Sequence, residues 1–124
     1  NGSYGRKGFV SEVLADLLKD GRKIDVVYAI GPVPMMRVIA EQTRPHGIKT
    51  IVSLDAIMID GTGMCGACRV TVGGQTKFTC CDGPDFDAHE VNWDELVARK
   101  KMYLPQEKEQ LERFHESCAG GCRK

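Results

Sequence analysis

The sequence predicts an α/β protein: a parallel sheet with helices, then a small β-hairpin extension, then C-terminal helices. Three observations carry this. The runs Ile24-Asp25-Val26-Val27-Tyr28-Ala29-Ile30 and Lys49-Thr50-Ile51-Val52-Ser53-Leu54 are short, β-branched and largely apolar, as in parallel strands covered on both faces. Each is preceded by apolar residues at helical spacing, so the first half reads helix, strand, helix, strand. After Ala56-Ile57-Met58-Ile59 the pattern changes to two short runs separated by Gly73-Gly74, a hairpin signal.

The elements follow in order. Residues 1–8 are a Gly-rich loop. Phe9, Val10, Val13, Leu14, Leu17 and Leu18 recur on one face of a first helix, with Ser11 as an alternative cap for a later start, and Asp20-Gly21 ends it. After the first strand, Gly31-Pro32-Val33-Pro34 is a turn. A helix over Met35 to Thr43 turns Met36, Ile39 and Ala40 inward, and Pro45 and Gly47 close it. Residues 69–72 and 75–80 form the hairpin, ended by Asp82-Gly83-Pro84. Asn92 caps a short helix from Trp93 to Ala98, and Pro105 opens a charged helix anchored by Leu111 and Phe114.

At 124 residues the chain fits one domain, or two small units sharing a core. Seventeen basic residues balance seventeen acidic ones, and no basic stripe or aromatic platform points to nucleic acid. No apolar run reaches membrane-spanning length, so no membrane insertion is expected. The opening residues lack the apolar core of a signal peptide. Six cysteines that include a C-x2-C pair favour a reducing, cytoplasmic setting and a metal role over a secreted disulfide scaffold.

The most informative stretch is Asp60-Gly61-Thr62-Gly63-Met64-Cys65-Gly66-Ala67-Cys68, followed by Cys80. It reads D-x4-C-x2-C-x11-C. The spacing is that of a plant-type 2Fe-2S site with Asp in the first thiolate position. Four features favour such a cluster over zinc: the x4-x2 spacing, the Gly-rich loop with N–H groups free for sulfides, a last Cys leaving a hairpin instead of a second knuckle, and a hard oxygen ligand. Strand alternation would put Phe78 and Cys80 on one face, opposite Lys77, Thr79 and Cys81, which selects Cys80. On spacing alone, Asp60 is either a ligand or the start of an Asx-turn. Cys118 and Cys122 are either a second metal pair or free thiols.

A second candidate site is a nucleotide edge. Gly31-Pro32 follows a strand and precedes a helix that opens with Met35, and open α/β sheets bind ligands at such strand ends. Gly2, Ser3, Tyr4, Arg6 and Lys7 precede the first helix and offer a hydroxyl, backbone N–H groups and two cations to a phosphate. Arg6 and Lys7 either favour NADP(H) or are a solvated pair. His46, His89 and His115 are isolated, and no acid–base catalyst is visible.

Two sets of residues carry a family resemblance. The first is Gly-Ser-Tyr-Gly with Lys7-Gly8-Phe9-Val10 and Val27-Tyr28-Ala29-Ile30-Gly31-Pro32-Val33-Pro34-Met35-Met36. The second is the cluster loop with Cys80-Cys81-Asp82-Gly83-Pro84-Asp85-Phe86-Asp87. Together they resemble the ferredoxin–NADP reductase superfamily. Within it, the match is to small subunits of NADH-dependent reduced ferredoxin:NADP+ oxidoreductases, often labelled sulfide dehydrogenase or hydrogenase flavoprotein subunits. The electron-transfer subunit of dihydroorotate dehydrogenase is a close relative.

The resemblance implies residues 1–56 as the C-terminal part of an NAD(P)-binding domain of ferredoxin-reductase type, 57–92 as the cluster hairpin and 93–124 as a helical tail. It implies Asp60, Cys65, Cys68 and Cys80 as ligands, with Asp60 marking the ferredoxin:NADP+ group against the usual four Cys of the dihydroorotate group. It implies an oxidoreductase component relaying electrons between NAD(P)(H), FAD and the cluster to a large flavin/iron–sulfur subunit, with ferredoxin or a related carrier as a further partner. The family's FAD-binding barrel and first Gly-rich turn are not in this sequence, so the chain is expected to hold the cluster and to bind nucleotide poorly and be inactive by itself. Asn1, where such loops often carry Asp, and the extra Cys81 depart from the pattern. A zinc-stapled, non-redox interaction module is the reading from another class.

Overall fold

The computed structural model describes residues 3–119. Helix α1 (Val10–Lys19) leads to strand β1 (Val26–Ile30), helix α2 (Val33–Thr43), a 3-10 turn (Arg44–His46) and strand β2 (Lys49–Ser53). The hairpin β3 (Arg69–Val72) and β4 (Gln75–Phe78) follows, then a one-turn helix α3 (Thr79–Asp82), strand β5 (Asp85–Asp87) and helices α4 (Trp93–Lys100) and α5 (Leu104–Ala119). The helix–strand–helix–strand order is as expected. No described helix is long and apolar enough to cross a membrane.

One sheet has the order β1-β2-β5. Strands β1 and β2 pair in parallel, Val26 beside Lys49 through Ile30 beside Ser53. The expected sheet was parallel throughout, but β5 runs antiparallel to β2, with Val52 opposite Phe86. Asp82-Gly83-Pro84 therefore does not release the chain into a loop. The chain returns along the open edge of β2, where Leu54 N–H donates to Pro84 O at 2.9 Å and Ala88 N–H donates to Thr50 O at 2.9 Å. Three residues were too short a run to show as a strand in the sequence.

Expected burial also needs correction. Along β1 only Ala29 is buried, whereas Tyr28 and Ile30 are exposed, because they share with Val26 the sheet face opposite the one that Val27 and Ala29 pack on the core. In α1, Phe9, Val10 and Val13 are exposed, and Leu14 packs against the core as a partly buried side chain. Helix α2 starts at Val33, two residues before Met35. Pro34 fits there because a first-turn proline forfeits no intrahelical hydrogen bond. Its inward face is the expected one: Met36, Ile39 and Ala40 are buried against Val52, Leu54, Trp93 and Leu96.

The second sheet is the β3–β4 hairpin, Arg69 opposite Phe78 and Val72 opposite Gln75. Gly73 and Gly74 form its turn with φ of 58° and 74°, positive values that favour glycine and match the twist of a two-residue hairpin. Strand β4 ends at Phe78, so strand alternation does not govern Cys80 and Cys81, which lie on α3. Thr79, which alternation had placed with Lys77 toward water, is fully buried. Its hydroxyl and its N–H both donate to Cys68 O, at 2.9 and 3.2 Å. That pair of bonds turns the chain out of the strand and under the loop.

Helix α4 closes the structure. Asn92 caps it, accepting from Glu95 N–H at 3.1 Å, as expected. Trp93 Nε1 donates to Ala88 O at 3.1 Å, and Arg37 Nη1 on α2 donates to Asp94 at 2.7 Å. Because Met36 is fully buried among these elements, Met36→Ala should lower stability by about 2–5 kcal/mol, read as an earlier midpoint in urea denaturation.

Candidate metal centre

Asp60 opens the loop that precedes β3. Its Oδ1 accepts Thr62 N–H at 2.8 Å and its Oδ2 accepts Cys65 N–H at 3.2 Å. The Asx-turn alternative is thus realised. The Thr62 amide, followed by weaker contributions from Thr62 and Cys65, holds the Asp60 carboxyl below the usual carboxylate range against a desolvation that raises it. The carboxylate is anionic at neutral pH and gathers the loop around itself. Of the loop glycines, Gly63 is the most constrained: φ is 82°, and a Cβ there would stand 2.6 Å from Cys81 Sγ.

The predicted thiols divide by exposure. Cys65 is exposed and its Sγ accepts Ala67 N–H at 3.5 Å. Cys68 is buried, and its Sγ lies 3.3 Å from that of half-buried Cys80. Cys81 Sγ is 3.6 Å from Cys80 Sγ. All four are free thiols. Among the described residues, no group of three or more His, Cys, Asp or Glu side chains is gathered tightly enough to hold one metal ion. The structure therefore brings Cys68 and Cys80 together, links Asp60 to Cys65 through the loop backbone, and keeps these as two pairs.

That donor set fits an iron–sulfur group. Two sulfurs on one tetrahedral metal, with bonds of about 2.3 Å, stand about 3.8 Å apart, close to the Cys68–Cys80 spacing. The loop has no Cβ at Gly61, Gly63 or Gly66, each at positive φ. Cys81 is exposed, as on the face opposite Cys80, but it lies on α3 and its Sγ stands against the loop at Gly63. The pair Cys80-Cys81 directly before Asp-Gly-Pro was the available signal. Cys122 and the Cys118 side chain lie outside the described residues.

The expected nucleotide edge borders an apolar groove of about 610 Å³. Pro32 and Met35 line it, and the Met35 methyl lies against Gly31, where a Cβ would come within 2.8 Å of it. Phe9, Val10, Ser11 and Val38 complete the wall. Helical spacing had assigned Phe9 and Val10 to the core. Tyr4 is almost fully exposed, and Arg6 forms an ion pair with Asp16 that raises the arginine and lowers the aspartate. Ser3 and Lys7 are exposed, and Gly2 lies outside the described residues.

The described fold thus joins a Gly-rich loop carrying Cys65 and Cys68, with its hairpin, to an α/β unit. Residues 55–92 match the family described as the iron–sulfur cluster binding domain of dihydroorotate dehydrogenase B. The chain is 51% identical over 114 residues to a dihydroorotate dehydrogenase B (NAD(+)) electron transfer subunit homolog of Thermotoga maritima, covering 92% of this chain and 40% of that one. It is 39% identical over 96 residues to a probable electron transfer subunit of the same kind from Methanopyrus kandleri, covering 77% and 35%. It is also similar to a chain in the solved structure of an NADH-dependent reduced ferredoxin-NADP oxidoreductase studied for flavin-based electron bifurcation. There the TM-score is 0.80 at 51% identity, over 91% of this chain and 41% of that one. The chain thus spans about two fifths of these relatives or less.

Replacing Gly63 by alanine imposes a backbone strain of about 1–3 kcal/mol as well as the approach to Cys81. Gly63→Ala should lower the melting temperature and the iron bound per chain, measured by calorimetry and iron analysis. A variant with unchanged values of both would contradict a tight loop at this position.

Proposed function

We propose that this chain is the cluster-bearing part of an electron-transfer subunit of a flavin/iron–sulfur oxidoreductase. It would work between NAD(P)(H), FAD and a partner subunit carrying further flavin and clusters, with ferredoxin or a related carrier as the outer partner. The observation that carries this is the loop 60–68 with Cys80, lying inside the segment 55–92 that matches an iron–sulfur family. The assignment of residues 1–56 as the C-terminal part of an NAD(P)-binding domain, 57–92 as the cluster hairpin and 93–124 as a helical tail is part of the proposal.

A bound 2Fe-2S cluster supplies one-electron chemistry. The protein's part is placement and tuning. Buried Cys68 and half-buried Cys80 would hold the cluster as thiolates, and exposed Cys65 and Asp60 would complete the ligand set, with Asp60 kept anionic by the Thr62 amide. Thr79 fixes the Cys68 carbonyl and with it the angle between loop and α3. At the other end, Gly31, Pro32 and Met35 form an apolar wall for a nicotinamide nucleotide. Gly2, Ser3, Tyr4, Arg6 and Lys7 lie upstream of it for phosphates, with Arg6 first leaving Asp16.

Two relatives pull the substrate assignment apart. The family description and the Thermotoga name favour a dihydroorotate dehydrogenase partner. The solved structure favours reduced ferredoxin and NADP, at the same 51% identity. Asp60 in place of a first Cys supports the second.

Anaerobic purification decides the cofactor. Stoichiometric iron and acid-labile sulfide, with visible absorption that bleaches on dithionite, are expected; stoichiometric zinc without iron would sink the reading in favour of a non-redox module. Asp60→Cys should move the EPR g values of the reduced cluster, and an unchanged spectrum would remove Asp60 from the ligand set. The large subunit that co-purifies with the natural protein distinguishes the two electron partners.

A further inference from the structure

Helix α4 reaches back to the cluster loop through one side chain. Arg99 Nη2 donates to Ala67 O at 2.9 Å. Ala67 lies between Cys65 and Cys68, and its own N–H donates to Cys65 Sγ. Behind this contact is a small cavity of about 40 Å³ between loop and helix, walled by Ile57, Ile59, Leu96 and Tyr103. Arg99 is thus half-buried on an apolar wall, its guanidinium directed at the ligand loop.

The next residue along the helix, Lys100, is neutralised and Arg99 is not. Lys100 pairs with Asp55, and Arg37 pairs with Asp94 and Glu41. Among the described residues Arg99 has no carboxylate within ion-pair distance. A half-buried cation without a carboxylate partner is costly, and the guanidinium of Arg99 meets the loop that carries Cys65 and Cys68 at Ala67 O. Asp60 and the thiolates carry negative charge, and reduction of a cluster adds one more. A fixed cation stabilises the more negative state, and net charge and hydrogen bonding set iron–sulfur potentials.

We propose that Arg99 is a positioning residue that clamps the cluster loop through Ala67 and, by its unneutralised charge, raises the reduction potential of the cluster. This rests on the iron–sulfur reading above. Arg69 provides an internal control. Its Nη1 donates to Gly66 O at 3.3 Å on the same loop, but the residue is exposed, where water and salt screen its charge.

The test is an EPR-monitored redox titration of the full natural protein, purified anaerobically, as wild type, Arg99→Gln, Arg99→Lys and Arg69→Gln. The expected result is a cluster in all four, a potential displaced to more negative values in Arg99→Gln, a smaller displacement in Arg69→Gln, and Arg99→Lys between wild type and Arg99→Gln. An Arg99→Gln potential equal to wild type, or one displaced no further than Arg69→Gln, overturns the proposal. If Arg99→Gln takes up no cluster, Arg99→Lys decides. Loading with a near-wild-type potential supports a role for the charge, and loss of the cluster reduces Arg99 to a structural clamp and overturns it. A wild-type protein without iron and sulfide removes the iron–sulfur reading and this inference together, whereas a loaded wild type with an unmoved Arg99→Gln potential removes this inference only.

Discussion

The return of the chain to strand β2 is the constraint on which the arrangement depends. Strand β2 carries β1 on one edge and β5 on the other. Its Val52 is fully buried beneath α2 and α4. Asp85–Asp87 on its second edge brings the chain back to the α/β unit beyond the hairpin, and the Val72–Val91 bridge ties the hairpin to the segment that follows. With β5 there, the segment from Leu54 to Pro84 leaves and re-enters the same strand end, closed by the Leu54–Pro84 hydrogen bond. The loop is then an excursion with both feet fixed. Fixing both ends removes much of the freedom that a long connection would otherwise keep.

The site shows the same economy at smaller scale. Asp60 bonds two amides of its own loop and remains charged. A residue in that position organises the backbone whether or not it also meets a metal, so turn geometry and ligation are compatible demands. Cys68 is fixed from three directions: by burial, by Thr79 on its carbonyl, and by Cys80 beside its sulfur. Cys65 is held by one amide and faces outward.

Local signals were legible in the sequence where one residue type has one use. Gly73-Gly74 gave the hairpin, Asn92 gave the cap of α4, and the D-x4-C-x2-C spacing gave the loop. What was not legible depended on partners distant in the chain. Thr79 looks like a strand residue until Cys68 O is placed beside it, and then a helical turn satisfies both its donors. Asp85-Phe86-Asp87 looks like loop until the open edge of β2 is known. Phe9 and Val10 carry the periodicity of a core face but line a groove. The apolar pattern reports that a face is to be covered, not by what.

Strand β1 has a further consequence for handling this chain. Its outer edge, among the described residues, presents a row of backbone donors and acceptors without strand partners, flanked by exposed Val26, Tyr28 and Ile30. It has no proline, bulge or lysine to blunt it. Such an edge is a template for pairing with another chain.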